Sequence, residues 1–261
     1  TLYVEDDTRS FMQARGKQSE EFYSHGCDYT RTTGIWQTVY LEFVKNDYIK
    51  NFKVYPNIEN ATLTITADLV GCGDFKATAF WDGKEVGVAE SKVLGQTVTV
   101  TLNLTEKHLW EVGKGGLYSL TLNFGDDEVA SYFGLREVNL SDGVCKINGK
   151  PVIIKGVNRH EHDGFTGQCV SRAMMEKDIQ LMLQNNINTI RTSHYPVDIY
   201  LYELCDKYGL YVIDEANNES HAQGYGDASL AKDERWVGAF KYRCNNMVGR
   251  DKNHPSIIIW S

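Results

Sequence analysis

Four short runs in the C-terminal half of the chain, Val152 to Val157, Asn188 to Arg191, Leu210 to Ile213 and Ser256 to Trp260, are separated by amphipathic helical patterns. This alternation constrains the fold more than any other feature, because strand–helix repetition leads to parallel sheets. Between the first two runs, Met175, Ile179, Met182 and Leu183 share one helical face. Between the next two, Leu201, Leu204 and Cys205 do the same, with Gly209 as the stop. Trp236, Phe240, Cys244 and Met247 mark a third helix. The apolar core of each run suits a strand covered on both faces. An open doubly wound sheet and a (β/α)₈ barrel share this pattern. No glycine-rich phosphate loop follows any of the strands, and polar residues gather at their C-terminal ends, so the barrel is expected.

Those polar ends read Asn158-Arg159-His160-Glu161-His162, Arg191-Thr192-Ser193-His194-Tyr195 and Asp214 to His221. Unpaired buried charge costs several kcal/mol, so stability alone does not explain three successive strands ending this way. A single histidine is usually structural, but His160, His162, His194 and His221 fall at three rim positions. Glu219 and His221 are two apart and leave the same face of an extended chain, as two ligands of one ion would. Read alone, Asp214 to His221 is equally compatible with a solvated acidic loop.

Upstream the period changes. From about 39 to 139, Leu63, Ile65, Ala67 and Leu69 alternate with polar residues, as do Val98, Val100, Leu102 and Leu104. Such alternation describes an antiparallel sandwich with one face in a core, and its strand spacing suggests an immunoglobulin-like one. Asp82-Gly83 and Asn148-Gly149 supply hairpin turns. Residues 1–38 are polar, with an aromatic and glycine-punctuated stretch from Cys27 to Gln37 that leads into an expected strand at Thr38 to Val44. Aspartate, arginine, tyrosine and tryptophan together are typical of sugar-facing loops, but read alone the stretch is better explained as a loop folded back on its own sandwich. The expected domains are therefore 1–38, 39–139 and 140–261. Both ends of the chain read as mid-strand, so an internal fragment of a larger protein is expected.

Composition narrows the partners. A formal charge of -8 argues against nucleic acid, which needs clustered lysine and arginine. No apolar run approaches the roughly 20 residues that span a bilayer. The six cysteines form no CxxC pair, and Cys205 and Cys244 read as small buried hydrophobes.

The stretch Asn188-Thr189-Ile190-Arg191-Thr192-Ser193-His194-Tyr195-Pro196, with Leu201-Tyr202, Asp206, Gly209 and Leu210 to Ile213, resembles the signature of family 2 glycoside hydrolases. Gly156 to His162 and Asp214 to His221 are similar to the β-galactosidases of that family in particular. The β-glucuronidases share Arg191 to Pro196 but lack the Glu-x-His pair. The resemblance implies the end of a sugar-binding β jelly roll (1–38), an immunoglobulin-like sandwich and the first half of a (β/α)₈ TIM barrel. It implies retaining hydrolysis of terminal β-D-galactosides, in an enzyme in which homo-oligomers are allowed. Glu219 and His221 would hold Mg²⁺. His160 and His194 would bind sugar hydroxyls, and Arg191 would support an ionised nucleophile. Asp28 would reach the sugar and a Na⁺ ion. The acid/base and nucleophile glutamates are expected beyond Ser261, not at Glu161, Glu215 or Glu219. The isolated chain is thus expected to be inactive and to need the remainder of its own polypeptide. Two alternatives stand beside this reading, namely a family 2 hydrolase of other sugar preference, such as a β-glucuronidase, and a non-catalytic carbohydrate-binding fragment.

Overall fold

The computed structural model describes the chain except residues 6, 8, 9, 11–15, 20, 94 and 221–225, and the side chain of 228. Seven strands form two antiparallel sheets. One has the order β1 (Tyr48–Asn57), β2 (Thr62–Val70), β5 (Thr97–Asn103). The other runs β4 (Lys84–Val93), β3 (Gly73–Trp81), β6 (Leu117–Phe124), β7 (Asp127–Gly134). The expected alternation is realised: Leu63, Ile65, Ala67 and Leu69 are buried, while Thr64 and Thr66 pair across the outer face with Thr101 and Thr99 at 2.9 and 3.1 Å. Phe75, Tyr118, Leu122, Phe124 and Phe133 fill the space between the sheets. Each fully buried large apolar side chain contributes about 1.5–3 kcal/mol.

A small meander follows, β8 (Val138–Ser141), β9 (Val144–Ile147) and β10 (Lys150–Pro151), turned at Asp142-Gly143 and Asn148-Gly149. Both turn pairs have positive φ at each residue, the conformation that matches hairpin twist.

The C-terminal half is a parallel sheet of β11 (Gly156–Arg159), β12 (Thr189–Thr192), β13 (Tyr211–Asp214) and β14 (Ile257–Trp260), in that spatial order. Helices α1 (Arg172–Gln184), α2 (Ile199–Tyr208) and α3 (Val237–Asp251) connect them, α3 after three short 3₁₀ turns. Because parallel crossovers are almost always right-handed, a sheet of sequential neighbours carries its helices on one face, as in a barrel wall. A doubly wound sheet would instead reverse its order at a switch point. Ser171 caps α1 by accepting from Met174 N, and Asp198 caps α2. Gly209 ends α2 in the left-handed region at φ 70°, and a side chain there would also collide with the Glu111 carbonyl.

Two strand expectations need correction. Thr38 to Val44 forms no strand: Val39, Tyr40, Leu41 and Phe43 stand exposed, and no described residue pairs with this stretch. A strand exists only through its ladder, whatever the propensity of its residues. Within residues 1–44, pairing among the described residues is confined to single bridges, Gln18 with Tyr29 and His25 with Asp28. The first parallel strand begins at Gly156 rather than Val152. Val152 N donates to Cys145 O of the meander, and the Asn188 side chain clips Lys155 N and Ile153 O at 2.8 and 2.9 Å. Those backbone groups are therefore spent before the parallel ladder starts.

The sandwich seats against the N-terminal end of the parallel sheet. Trp110, Ile147, Tyr211 and Ile258 form a small core there. Arg136 donates to the carbonyls of Pro255 and Ile257 at 2.7 and 2.8 Å, and a side chain at Gly134 would strike Pro255 and Trp110. The opposite, C-terminal end of the sheet remains available for chemistry.

Candidate active site

The first three strands of the parallel sheet deliver polar side chains to their C-terminal ends. Asn158 and His160 come from β11, Arg191 and His194 from β12, and Glu215 and Glu219 follow β13. The loop after β13 is pinned to the end of β14: Ser261 N donates to Asp214 O, and Ala216 N to Ser261 O, at 2.8 and 2.9 Å. Arg243 of α3 holds the Asn217 carbonyl at 2.6 Å.

The side chains converge. The His160 and His194 rings meet edge to face at 5.3 Å. His194 Nδ1 lies 2.7 Å from Glu215 Oε1 and 3.7 Å from Glu219 Oε2. Arg191 Nε donates to Glu215 Oε2 at 2.6 Å, and its Nη1 to Asn158 Oδ1 at 3.3 Å. The partner of Arg191 in this chain is thus Glu215. Burial holds the His160 imidazole below its ordinary pKa, helped by the positive character of His194, Lys17, His162 and Arg191. A neutral imidazole both donates and accepts, which suits sugar hydroxyls.

The three carboxylates differ. Glu161 is buried and structural: Arg159 Nη1 and Nη2 reach its Oε1 at 3.2 Å, and Asp198 N donates to its Oε2. Burial raises its pKa, with Arg159 opposing. Glu215 has both oxygens engaged. Glu219 stands at the edge of the cluster with a side chain 17% exposed. Ligand atoms of His194, Glu215 and Glu219 lie within 4.8 Å of one another, a donor set that could accept a hard divalent cation through Glu219. His221, the expected second magnesium ligand, lies outside the described residues.

The N-terminal segment lies across this rim. Tyr29 OH meets Tyr195 OH at 3.2 Å, and its ring sits 5.0 Å from that of His162 and 5.9 Å from that of His160. Cys169 Sγ contacts Trp36 O at 3.9 Å, and Gln37 bonds both Pro196 O and Arg250. Asp28 adjoins Tyr29, its backbone bridged to His25. Sequence reasoning overlooked Tyr29, although the aromatic stretch from Cys27 to Gln37 marked its surroundings. It also overlooked Glu215 as a partner of Arg191, since no spacing rule links positions on neighbouring strands.

A sequential parallel sheet with one-sided helices and a histidine-, arginine- and glutamate-lined C-terminal rim defines a (β/α) barrel segment of the kind that carries enzyme sites. Comparison with known proteins agrees. Residues 138–261 match the model of the glycosyl hydrolases family 2, TIM barrel domain. The chain belongs to that family. It is 36% identical to a β-galactosidase of Enterobacter cloacae over 263 residues, 92% of this chain and 26% of that protein. A β-galactosidase of Pseudoalteromonas haloplanktis is likewise 36% identical, across 93% of this chain and 26% of its own length. The chain therefore spans about a quarter of these curated relatives. Among solved structures it resembles the Faecalibacterium prausnitzii β-glucuronidase, with TM-score 0.73 and 31% identity over 82% of this chain and 35% of that one. A Lactobacillus rhamnosus β-glucuronidase gives TM-score 0.70 and 29% identity over 82% of this chain and 37% of that one.

Proposed function

We propose that the protein is a retaining glycosidase acting on terminal β-D-galactosides, with this chain forming one side of its sugar site. The convergence of His160, His194 and Glu219 at the strand ends carries this reading. The sequence relatives are β-galactosidases, and the Glu219-x-His221 pair follows the third strand, in keeping with the resemblance to that branch of the family. In this reading residues 1–38 are the end of a jelly roll, 39–139 an immunoglobulin-like sandwich and 140–261 half a TIM barrel.

His160 and His194 grip sugar hydroxyls, and hydrogen bonds that strengthen as the sugar flattens favour the transition state. Arg191 gives the rim a fixed positive charge. Glu219, with His221, would hold Mg²⁺, an ion that would supply charge stabilisation to the site. Asp28 is assigned to the sugar and to Na⁺. Retention needs two carboxyl groups about 5–5.5 Å apart, one acid/base and one nucleophile. Glu161 is tied to Arg159, and Glu215 to Arg191 and His194. The resemblance to family 2 glycoside hydrolases assigns both reacting carboxylates beyond Ser261, so the 261-residue chain alone is expected to give no turnover.

A second reading, a β-glucuronidase, has one observation in its favour besides the solved structures: Lys17 stands close enough to His160 to act on it electrostatically, and a cation there would suit a sugar carboxylate. Purified full-length polypeptide carrying this chain should be assayed on 4-nitrophenyl β-D-galactoside and β-D-glucuronide. A higher kcat/KM for the galactoside is expected, and the reverse order would replace the first reading with the second.

A further inference from the structure

We infer that Glu215 is the positioning residue of the rim, fixing His194 and Arg191 in one arrangement from which His194 presents Nε2 to the sugar. The inference rests on the reading of His194 as a sugar-binding group and adds what holds it there.

Glu215 is the first residue beyond β13 and is 8% exposed. Its backbone N donates to Thr192 Oγ1 of β12 at 3.0 Å, and that hydroxyl donates to Asp214 Oδ1 at 3.2 Å. Tyr202 OH of α2 holds the same Asp214 oxygen at 2.7 Å. The residue therefore leaves the sheet from a backbone locked to two strands and a helix. Its carboxylate is shared mainly between two partners, with Ser261 Oγ adding a long bond to Oε2 at 3.4 Å. Oε2 accepts from Arg191 Nε at 2.6 Å, and Oε1 faces His194 Nδ1 at 2.7 Å. Arg191 extends the belt to Asn158 on β11. One buried carboxylate thus ties together side chains from three adjacent strands.

The chemistry follows from the acceptor count. An ionised carboxylate only accepts, so Nδ1 facing Oε1 must carry a proton. That leaves Nε2 as the second ring nitrogen, with no hydrogen bond among the described residues. Arginine has high rotamer freedom, and an imidazole can flip. Holding both before substrate arrives is the preorganisation that a site on strand ends requires. Other roles fit less well. Glu219, at the edge of the cluster, is more open to a metal ion than Glu215, whose two oxygens are both hydrogen-bonded.

Glutamine is nearly isosteric but offers one acceptor. Arg191 takes the oxygen, the amide NH₂ then faces His194 Nδ1, and the ring proton must move to Nε2. E215Q in the full-length polypeptide should therefore lower kcat/KM on 4-nitrophenyl β-D-galactoside by roughly 10–100-fold, the range of orienting partners. Most of the loss should fall in kcat, with the melting temperature nearly unchanged. In an H194F background the same substitution should change kcat/KM by less than about threefold, because neighbours acting as a unit are non-additive. Crystal structures of the parent and E215A should show His194 and Arg191 leaving their parent positions, with E215D used in its place if E215A does not fold. Equal E215Q effects in both backgrounds would overturn the inference, as would unmoved His194 and Arg191 side chains. If the parent hydrolyses no glycoside, the functional reading fails while the crystallographic comparison still decides the role of Glu215.

Discussion

Trp110 Nε1 donates to the Asp206 carbonyl at 2.8 Å, joining the sandwich to helix α2 of the barrel across 96 positions of sequence. Both residues are fully buried, so nothing in solvent can replace the bond. Trp110→Phe should leave that carbonyl without its indole donor and cost about 1–3 kcal/mol. Thermal unfolding measures this, and an unchanged melting temperature would refute the role given to Trp110.

The Asp206 side chain is the hub of the same junction. It accepts from Tyr132 OH at 2.8 Å and Ser256 N at 2.8 Å, and meets His254 Nδ1 at 2.5 Å. Burial opposes charge on His254, but the hydrogen bond and charge of Asp206, with Asp251 and Glu203 nearby, raise its pKa above 6.5. A histidine with a raised folded value contributes stability that is complete below its unfolded value. That contribution disappears as pH climbs through the folded value. Melting temperature should thus decline on the alkaline side, and H254Q should flatten the decline. Parallel curves for parent and variant would count against the assignment.

Asp214 behaves in the opposite sense from an ordinary salt-bridged aspartate. Burial pushes its pKa up to about 7, the Tyr202 hydrogen bond opposes this, and Asp251 reinforces it. The unfolded group releases its proton near 3.8, the folded one near 7. Between those values the folded state binds more protons, so this group makes stability fall as pH rises. An amide in place of the carboxyl cannot ionise, so D214N should gain on the parent by a few degrees between pH 5 and 8. A gap in melting temperature that stays constant across that range would contradict the buried protonated carboxyl.

Glu219→Gln should weaken magnesium binding in the full-length polypeptide without unfolding it, because β13 is held by burial and not by the ion. The loss should be at least the roughly 10–100-fold that outer-shell partners of metals are worth. Titration calorimetry with MgCl₂ reads it directly, and an unaltered Kd would remove Glu219 from the ligand set.

Elements with a strong local signature were legible in the sequence. Residues 62–69 and 97–104 alternate with period two, and the structure buries the predicted side. Helices α1 and α2 bury the predicted Met175, Ile179, Leu201 and Cys205. Strand ends rich in histidine located the rim, because polar residues at the C-terminal end of a parallel strand have few structural uses. Thr38 to Val44 misled for the same reason that Leu63 to Leu69 did not. Both have strand propensity, but only the second has a neighbouring strand to complete its ladder.

By itself, then, the sequence determined the period of each segment, the order of strands and helices, and the residue types available at each strand end. These depend on neighbours along the chain, where side-chain geometry repeats about every two or 3.6 residues. Only the tertiary structure decided which partner each charge takes. Arg191 meets Glu215, 24 positions away, and Tyr29 meets Tyr195, 166 positions away. Glu161 sinks into a bond with Arg159, while Glu219 remains at the rim. The physical reason is that a hydrogen bond forms within about 3 Å of space. Which side chains come that close is settled by the packing of strands that the sequence keeps far apart.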